Sequence, residues 1–241
     1  MITDRYIAPG EPGFKGSLLD DYLAAGYYRM QHIIFTTHNT QLDIDQQPVP
    51  VFWLRTAVNT IKENKAAIAI RKKCSGFQVT YKKAAITEEL EALYAVYRSY
   101  VNFSTSATCA AYLHQVEIEN PFDSWMIEVR NNDALVAAGF FDLGKIAMSG
   151  IINFYHPNYN KFSPGKFLIL KKIDYALEND IHYYYTGYIS TAIGKFDYKL
   201  FPDPAAIEVY LPVERVWIPY SLAGKAALEA YFLKFIKQQP G

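Results

Sequence analysis

The stretch from Ile146 to Phe201 constrains the fold most: an apolar run, a loop, a proline-opened helical pattern and a second apolar run follow in the order strand, helix, strand. The first run ends near Tyr155 and gives way to His156-Pro157-Asn158. Ser163-Pro164-Gly165 then combines a preferred N-cap residue, a proline at the first helical position and a glycine that tolerates close approach. Leu170, Ile173 and Leu177 supply the buried face of this helix, and the second strand runs from His182 to Ile189. Alternation places Tyr183, Tyr185, Gly187 and Ile189 on one face of that strand and Tyr184, Thr186 and Tyr188 on the other. A glycine inside a strand marks the close approach of a ligand or of another backbone. Lys195-Phe196-Asp197-Tyr198-Lys199 brings charge and a phenol just beyond the strand end, where α/β units place their sites. Unsatisfied N–H groups at the helix start, flanked by Lys161 and Lys166, make an anion site for phosphate or carboxylate; the alternative is that Ser163 simply caps the helix.

Elsewhere the pattern is that of a mixed α/β chain. Ser17 as N-cap, Leu18, Leu19, Tyr22 and Leu23, and a stop at Gly26 predict a short helix. Tyr27 to Thr36 reads as one strand, Thr37 to Pro50 as a loop, and Val51 to Val58 as a strand. Thr87 opens the clearest helix, with Glu88 and Glu89 in its first turn and Leu90, Leu93, Tyr94, Tyr97, Tyr100 and Val101 at helical spacing. Trp125 to Val129 and Leu135 to Phe141, separated by Arg130-Asn131-Asn132-Asp133, predict a hairpin extended by a third strand from Ala147 to Tyr155. Leu228, Tyr231, Phe232 and Phe235 fall on one face of a last helix.

Charge and cysteine usage exclude several classes. Twenty-four basic side chains balance twenty-four acidic ones, so a nucleic-acid partner needs a local patch. Between Thr56 and Ile86, Lys62, Lys65, Arg71, Lys72, Lys73, Lys82 and Lys83 face the single acid Glu63, a stretch that either holds a phosphate backbone or forms a solvated face. Cys74 and Cys109 fit neither a zinc spacing nor a disulfide framework, and the five histidines form no HxH or HExxH. No metal and no cofactor are expected. With no membrane-length apolar run, the expected location is the cytoplasm.

Several motifs together resemble the arginyl-tRNA–protein transferase family and its bacterial leucyl-transferring relatives. Asn153-Phe154-Tyr155-His156-Pro157 is similar to that family's Tyr-Thr-Phe-Phe-Asp-Pro, Phe162-Ser163-Pro164-Gly165 to its Arg-Ser-Leu-Gly, and Tyr183 through Ile189 to its Tyr-Leu-Tyr-Leu-Gly-Tyr-Trp. Lys195, Tyr198, Lys199 and Pro202 fall where the family has Lys-Met-x-Tyr-Lys and a following Pro. Strong motifs run from about Asp142 to Pro202, with weaker agreement at Tyr22 to Arg29. Two departures stand out. The loop from Thr36 to Asp45 lacks the family's cysteine cluster, and Ile189 replaces the Trp of Gly-Tyr-Trp.

The resemblance implies a GNAT-like acyltransferase core, a mixed, mostly antiparallel sheet flanked by helices (residues 87–241), after a smaller N-terminal region carrying the basic stretch (residues 1–86). It implies transfer of an amino acid from aminoacyl-tRNA to the N-terminal amine of an acceptor protein, marking that protein for degradation. Tyr185, Tyr188 and Asp142 are then the candidates for proton transfer. Tyr155, Ser163, Gly165, Gly187, Lys195, Tyr198 and Lys199 are the candidates for substrate contact, and Arg71, Lys72 and Lys73 for tRNA. Two alternatives share the fold: a catalytically silent module binding protein N-termini or RNA, and an acyl-CoA N-acyltransferase. The single-glycine Ser-Pro-Gly loop weighs against the pyrophosphate cradle that the latter needs.

Overall fold

The computed structural model describes residues 5–10, 13–41, 48–113 and 119–235. Its strands are β1 (Arg5–Ile7), β2 (Tyr28–Met30), β3 (Ile33–Thr36), β4 (Asn39–Thr40), β5 (Val49–Ala57), β6 (Gln78–Lys83), β7 (Ser124–Asn131), β8 (Ala134–Leu143), β9 (Ala147–Tyr155), β10 (Tyr183–Ser190), β11 (Ile207–Leu211) and β12 (Val216–Pro219). The helices are α1 (Ser17–Ala24), α2 (Lys65–Lys73), α3 (Glu88–Tyr100), α4 (Pro164–Glu178) and α5 (Tyr220–Phe235). The large sheet has the order β12-β11-β5-β10-β9-β8-β7-β6, with β4 attached to β5, and β1-β3-β2 form a small sheet. Among the pairings of named strands only β9 with β10 is parallel, because α4 carries the chain across between them. The architecture is thus a mixed, mostly antiparallel sheet flanked by helices. Residues before Glu88 supply three of its strands: β5, between β11 and β10, β4, paired to β5, and β6, at the far edge.

Local chemistry explains most elements. The Thr87 side chain accepts from the Leu90 N–H and caps α3, and Asn64 caps α2 in the same way through the Ala67 N–H. Leu90, Leu93 and Tyr94 bury the inner stripe of α3 against Met126, Ala138, Phe140 and Phe154, whereas Tyr100, at the same spacing, is exposed. On α4, Phe167, Leu168, Leu170, Ile173 and Ala176 pack against Ile127, Val129, Ala137, Phe141 and Met148.

Four expectations change. Leu177 is exposed, since Lys172, Ile173, Tyr175 and Ala176 complete the inner face of α4. The helix α1 begins at Ser17 itself with Gly16 as its N-cap and no side-chain cap bond. Residues 27–36 form two short antiparallel strands rather than one, because Gln31 takes a left-handed φ of 56° and turns the chain. Part of the predicted loop pairs as β4, β5 starts at Val49, and residues 42–47 of that loop lie outside the described residues.

Candidate active site

The parallel pairing of β9 and β10 stops early. Tyr183 pairs with Ala147, Tyr184 with Met148 and Tyr185 with Ser149, after which the two strands part. Each keeps its other partner: β9 stays on β8 to Tyr155, and β10 stays on β5 to Ser190. The facing edges from Gly150 and from Thr186 onward therefore open into a fork. Both strands bend at this point. The β10–β5 register shifts between Tyr185 and Gly187, where Gly187 has a φ of 98°, and the β8–β9 register shifts between Phe140 and Phe141, opposite Gly150.

Packing at the apex requires both glycines. A Cβ on Gly150 would stand 2.8 Å from the Tyr184 hydroxyl, and one on Gly187 would stand 3.0 Å from Lys199 Nζ. The Tyr28 hydroxyl lies 2.7 Å from both the Gly150 and the Tyr185 carbonyl oxygens and so bridges the strands where they part. Its single proton serves one carbonyl at a time. Burial and the neighbouring Tyr184 push the Tyr28 phenol well above its ordinary range, so it stays protonated. Beside it, Ser149 Oγ and Thr186 Oγ1 are buried without a hydrogen-bond partner among the described residues.

One wall of the fork is the opening of α4. Ser163 holds a left-handed conformation (φ 54°, ψ 56°), and its side chain makes no cap bond, which leaves first-turn N–H groups to other acceptors. The Tyr155 ring lies over Gly165, 3.4 Å from where a Cβ would be. The opposite wall is the 3-10 turn Gly194–Leu200, folded against β10. There Lys199 Nζ donates to the Tyr188 carbonyl at 2.9 Å and sits 4.7 Å above the Tyr188 ring and 4.9 Å from that of Phe196. Burial, helped by the charge of Lys195, lowers the Lys199 ammonium to about 7. Lys195 is exposed, 4.7 Å over the Phe103 ring, and Tyr198 is 48% exposed. Tyr188 is half-buried, with its hydroxyl 3.4 Å from Thr40 Oγ1.

The structure thus gathers Tyr155, Ser163, Gly165, Gly187, Tyr188, Lys195, Tyr198 and Lys199 around the fork, and places the remaining candidates elsewhere. Tyr185 is 2% exposed on the sheet face packed by Trp53 and Tyr28, with its hydroxyl 3.4 Å from Arg55 Nη1. Asp142 is fully buried behind the apex, 2.6 Å from Arg29 Nη1 and 2.5 Å from Ser124 Oγ. Arg71 is held by Glu63 and Asp174, each at 2.8 Å, which neutralises it, whereas Lys72 and Lys73 are exposed. Within the same basic stretch Lys82 pairs with Glu128 and Lys83 with Asp123.

One buried polar residue carries no signal in the motifs. Lys172, in the middle of α4, is 1% exposed and donates to the Phe140 carbonyl and to Asn153 Oδ1, both at 2.8 Å. Burial lowers its ammonium to about 7, and Asp142 partly opposes that shift. In the sequence it hides behind Lys171, a surface lysine paired at 2.8 Å with Asp174. The signal available was its place one residue before the inward Ile173. Among the described residues no helix is long and apolar enough to cross a membrane.

Comparison with known proteins places this geometry in context. Residues 89–207, from α3 through the fork to the start of β11, match the family described as arginine-tRNA-protein transferase, C terminus. Arginyl-tRNA–protein transferase 2 of Arabidopsis thaliana is 30% identical over 107 residues, covering 42% of this chain and 17% of that protein. An aspartate/glutamate leucyltransferase of Leptospira interrogans is 27% identical over 152 residues, covering 61% of this chain and 59% of that protein. The matched region is thus less than two thirds of either relative. Among solved structures, FemX is similar with a TM-score of 0.47 at 10% identity, over 75% of this chain and 63% of its own.

Proposed function

The chain belongs to the family of arginyl-tRNA–protein transferases and aspartate/glutamate leucyltransferases, an aminoacyltransferase family, and on that premise we propose that it moves an amino acid from aminoacyl-tRNA to the N-terminal amine of an acceptor protein. The observation that carries this reading is the overlap of the matched residues with β9, α4, β10 and the turn Gly194–Leu200, the segments that build the fork.

The reaction is aminolysis of an ester. The acceptor nitrogen forms a bond to the carbonyl carbon, the C–O bond to the tRNA ribose breaks, and the proton lost by nitrogen balances the one gained by the departing oxygen. No covalent enzyme intermediate is needed, so the work is alignment, proton transfer and stabilisation of the developing oxyanion. Lys199, uncharged in part near neutral pH, is the group suited to take the proton from the attacking amine. Tyr188 and Tyr198 border the same space, and Lys195 reaches solvent where phosphate arrives. The opening of α4 at Ser163 and Gly165 presents N–H groups and the positive end of its dipole to the acceptor end of the tRNA. Tyr185 and Asp142 support the apex from behind.

Transfer of radiolabelled arginine, leucine or phenylalanine from charged tRNA to peptides beginning with Asp, Glu, Lys or Arg tests the proposal, with acetyl-CoA as the control donor. Labelled peptide from one of the charged tRNAs is the expected result. Binding of tRNA or peptide with no transfer would leave a binding module, and acetylated peptide would make the protein an acyl-CoA enzyme.

A further inference from the structure

We propose that Asn153 supplies a hydrogen-bond donor to the ester carbonyl oxygen of the aminoacyl donor, and that the buried Lys172 is the residue that positions it. The inference rests on the transfer reading above. Asn153 sits on β9 beyond the apex at Ser149, on the stretch that has lost β10 as a neighbour, and is half-buried. Its side-chain oxygen is fixed. Lys172 Nζ donates to Oδ1 at 2.8 Å, and the same oxygen lies 2.5 Å from where a Cβ on Gly139, its cross-strand partner, would be. A residue with any side chain at 139 would displace it.

An ammonium or amine that must donate to Oδ1 selects one of the two amide orientations, because the NH2 end would set donor against donor. The end left over is Nδ2, which the bond to Lys172 leaves available to donate elsewhere. Lys172 is itself held by its second bond, to the Phe140 carbonyl, at the bulge that bends β8 and β9 apart from a regular ladder. Two residues along the same face of β9, Tyr155 touches the Gly165 position in the first turn of α4. The amide N–H groups therefore lie between a buried anchor and the helix opening assigned to the acceptor end of the tRNA. A neutral, pre-oriented donor in a partly dry site is suited to the negative charge that grows on the carbonyl oxygen during aminolysis.

The test compares Asn153→Asp, Asn153→Ala, Lys172→Met and the double variant Asn153→Asp/Lys172→Met in the transfer assay. Asn153→Asp keeps the shape and the acceptor for Lys172 but loses the donor, so kcat is expected to fall roughly 100-fold while KM for aminoacyl-tRNA stays within about twofold. Asn153→Ala, which adds no charge beside Lys172, is expected to lower kcat to a similar degree and serves as the measure if Asn153→Asp does not fold. Lys172→Met frees the amide to rotate and is expected to lower kcat about 10-fold. The double variant is expected to be no slower than Asn153→Asp alone, since an anchor has nothing left to position. Unchanged kcat in both Asn153 variants overturns the donor role. Multiplying losses in the double variant overturn the positioning role of Lys172 by showing that it acts elsewhere. Absence of transfer by the unmodified protein fails the functional reading itself, which is a different result from normal transfer by the Asn153 variants.

Discussion

The meander β7–β8–β9 and the fork between β9 and β10 lie side by side in one sheet and differ in what they leave unpaired. In the meander, pairing runs from Ser124↔Asp142 to Asn131↔Ala134, and Met126, Ile127, Ala137, Ala138, Phe140 and Phe141 are fully buried between helices. In the fork, pairing ends after Tyr185↔Ser149 and leaves buried hydroxyls without partners and a lysine with a depressed pKa. The first arrangement stabilises the fold through its long paired ladders and close packing. The second leaves polar groups incompletely satisfied, a condition that costs stability and marks the fork as the candidate site.

Substitutions sharpen that contrast, and the largest effect is expected at the fork. Lys199→Met should lower kcat on the order of 100-fold or more with the fold retained, and should remove the acid limb near pH 7 that the depressed Lys199 pKa predicts for the pH–rate profile of the unmodified protein. An unchanged acid limb in steady-state kinetics would assign that proton to another group. In the meander, Ile127→Ala should cost roughly 2–5 kcal/mol in denaturant unfolding while leaving kcat per folded molecule unaltered. Gly187→Ala combines both kinds of loss. A left-handed φ of 98° and the close Lys199 Nζ predict a cost of about 1–3 kcal/mol together with reduced transfer, measured by thermal unfolding and the assay above.

A pH titration of stability separates the buried lysine from the surface ones. Lys172 titrates near 7 in the folded state and, from its ordinary value of 10.5, near that value in the unfolded chain. Between those values the unfolded chain holds the proton and the folded one does not. Stability should therefore rise with pH across this window and fall on acidification towards 7, by up to about 1.4 kcal/mol per pH unit for one such group. Lys199 adds to the same slope, reduced by solvent screening because it is only half-buried. Lys172→Met should flatten the gradient; an unaltered gradient in urea unfolding at several pH values would contradict the burial argument. The smallest effects belong to the basic stretch. Lys72→Ala and Lys73→Ala should each lower the salt slope of tRNA binding by about one, whereas Arg71→Ala, already neutralised by Glu63 and Asp174, should change stability more than affinity.

Periodicity makes much of the fold legible in the sequence. The helices after Thr87 and Ser163, the hairpin around Asn131-Asn132 and the order strand, helix, strand all follow from local spacing and capping, which act over a few residues. Motif resemblance located eight of the fork residues by number, including Gly187 and Lys199. Alternation failed at the bulge, because a register shift at Thr186 changes which side chains share a face beyond Tyr185. Charge runs also misled, since Arg71, Lys82 and Lys83 meet acids from distant parts of the chain, and Asp142 meets Arg29.

The sequence by itself determined most of the elements, their order and the family they resemble, because propensity, caps and motifs are properties of neighbouring residues. Only the tertiary structure decided where β9 and β10 part, that Lys172 turns inward onto Asn153, and that Tyr185 and Asp142 stand behind the fork rather than in it. Those facts depend on contacts between residues far apart in the chain, such as Tyr28 with Gly150 and Tyr185, which no local pattern encodes.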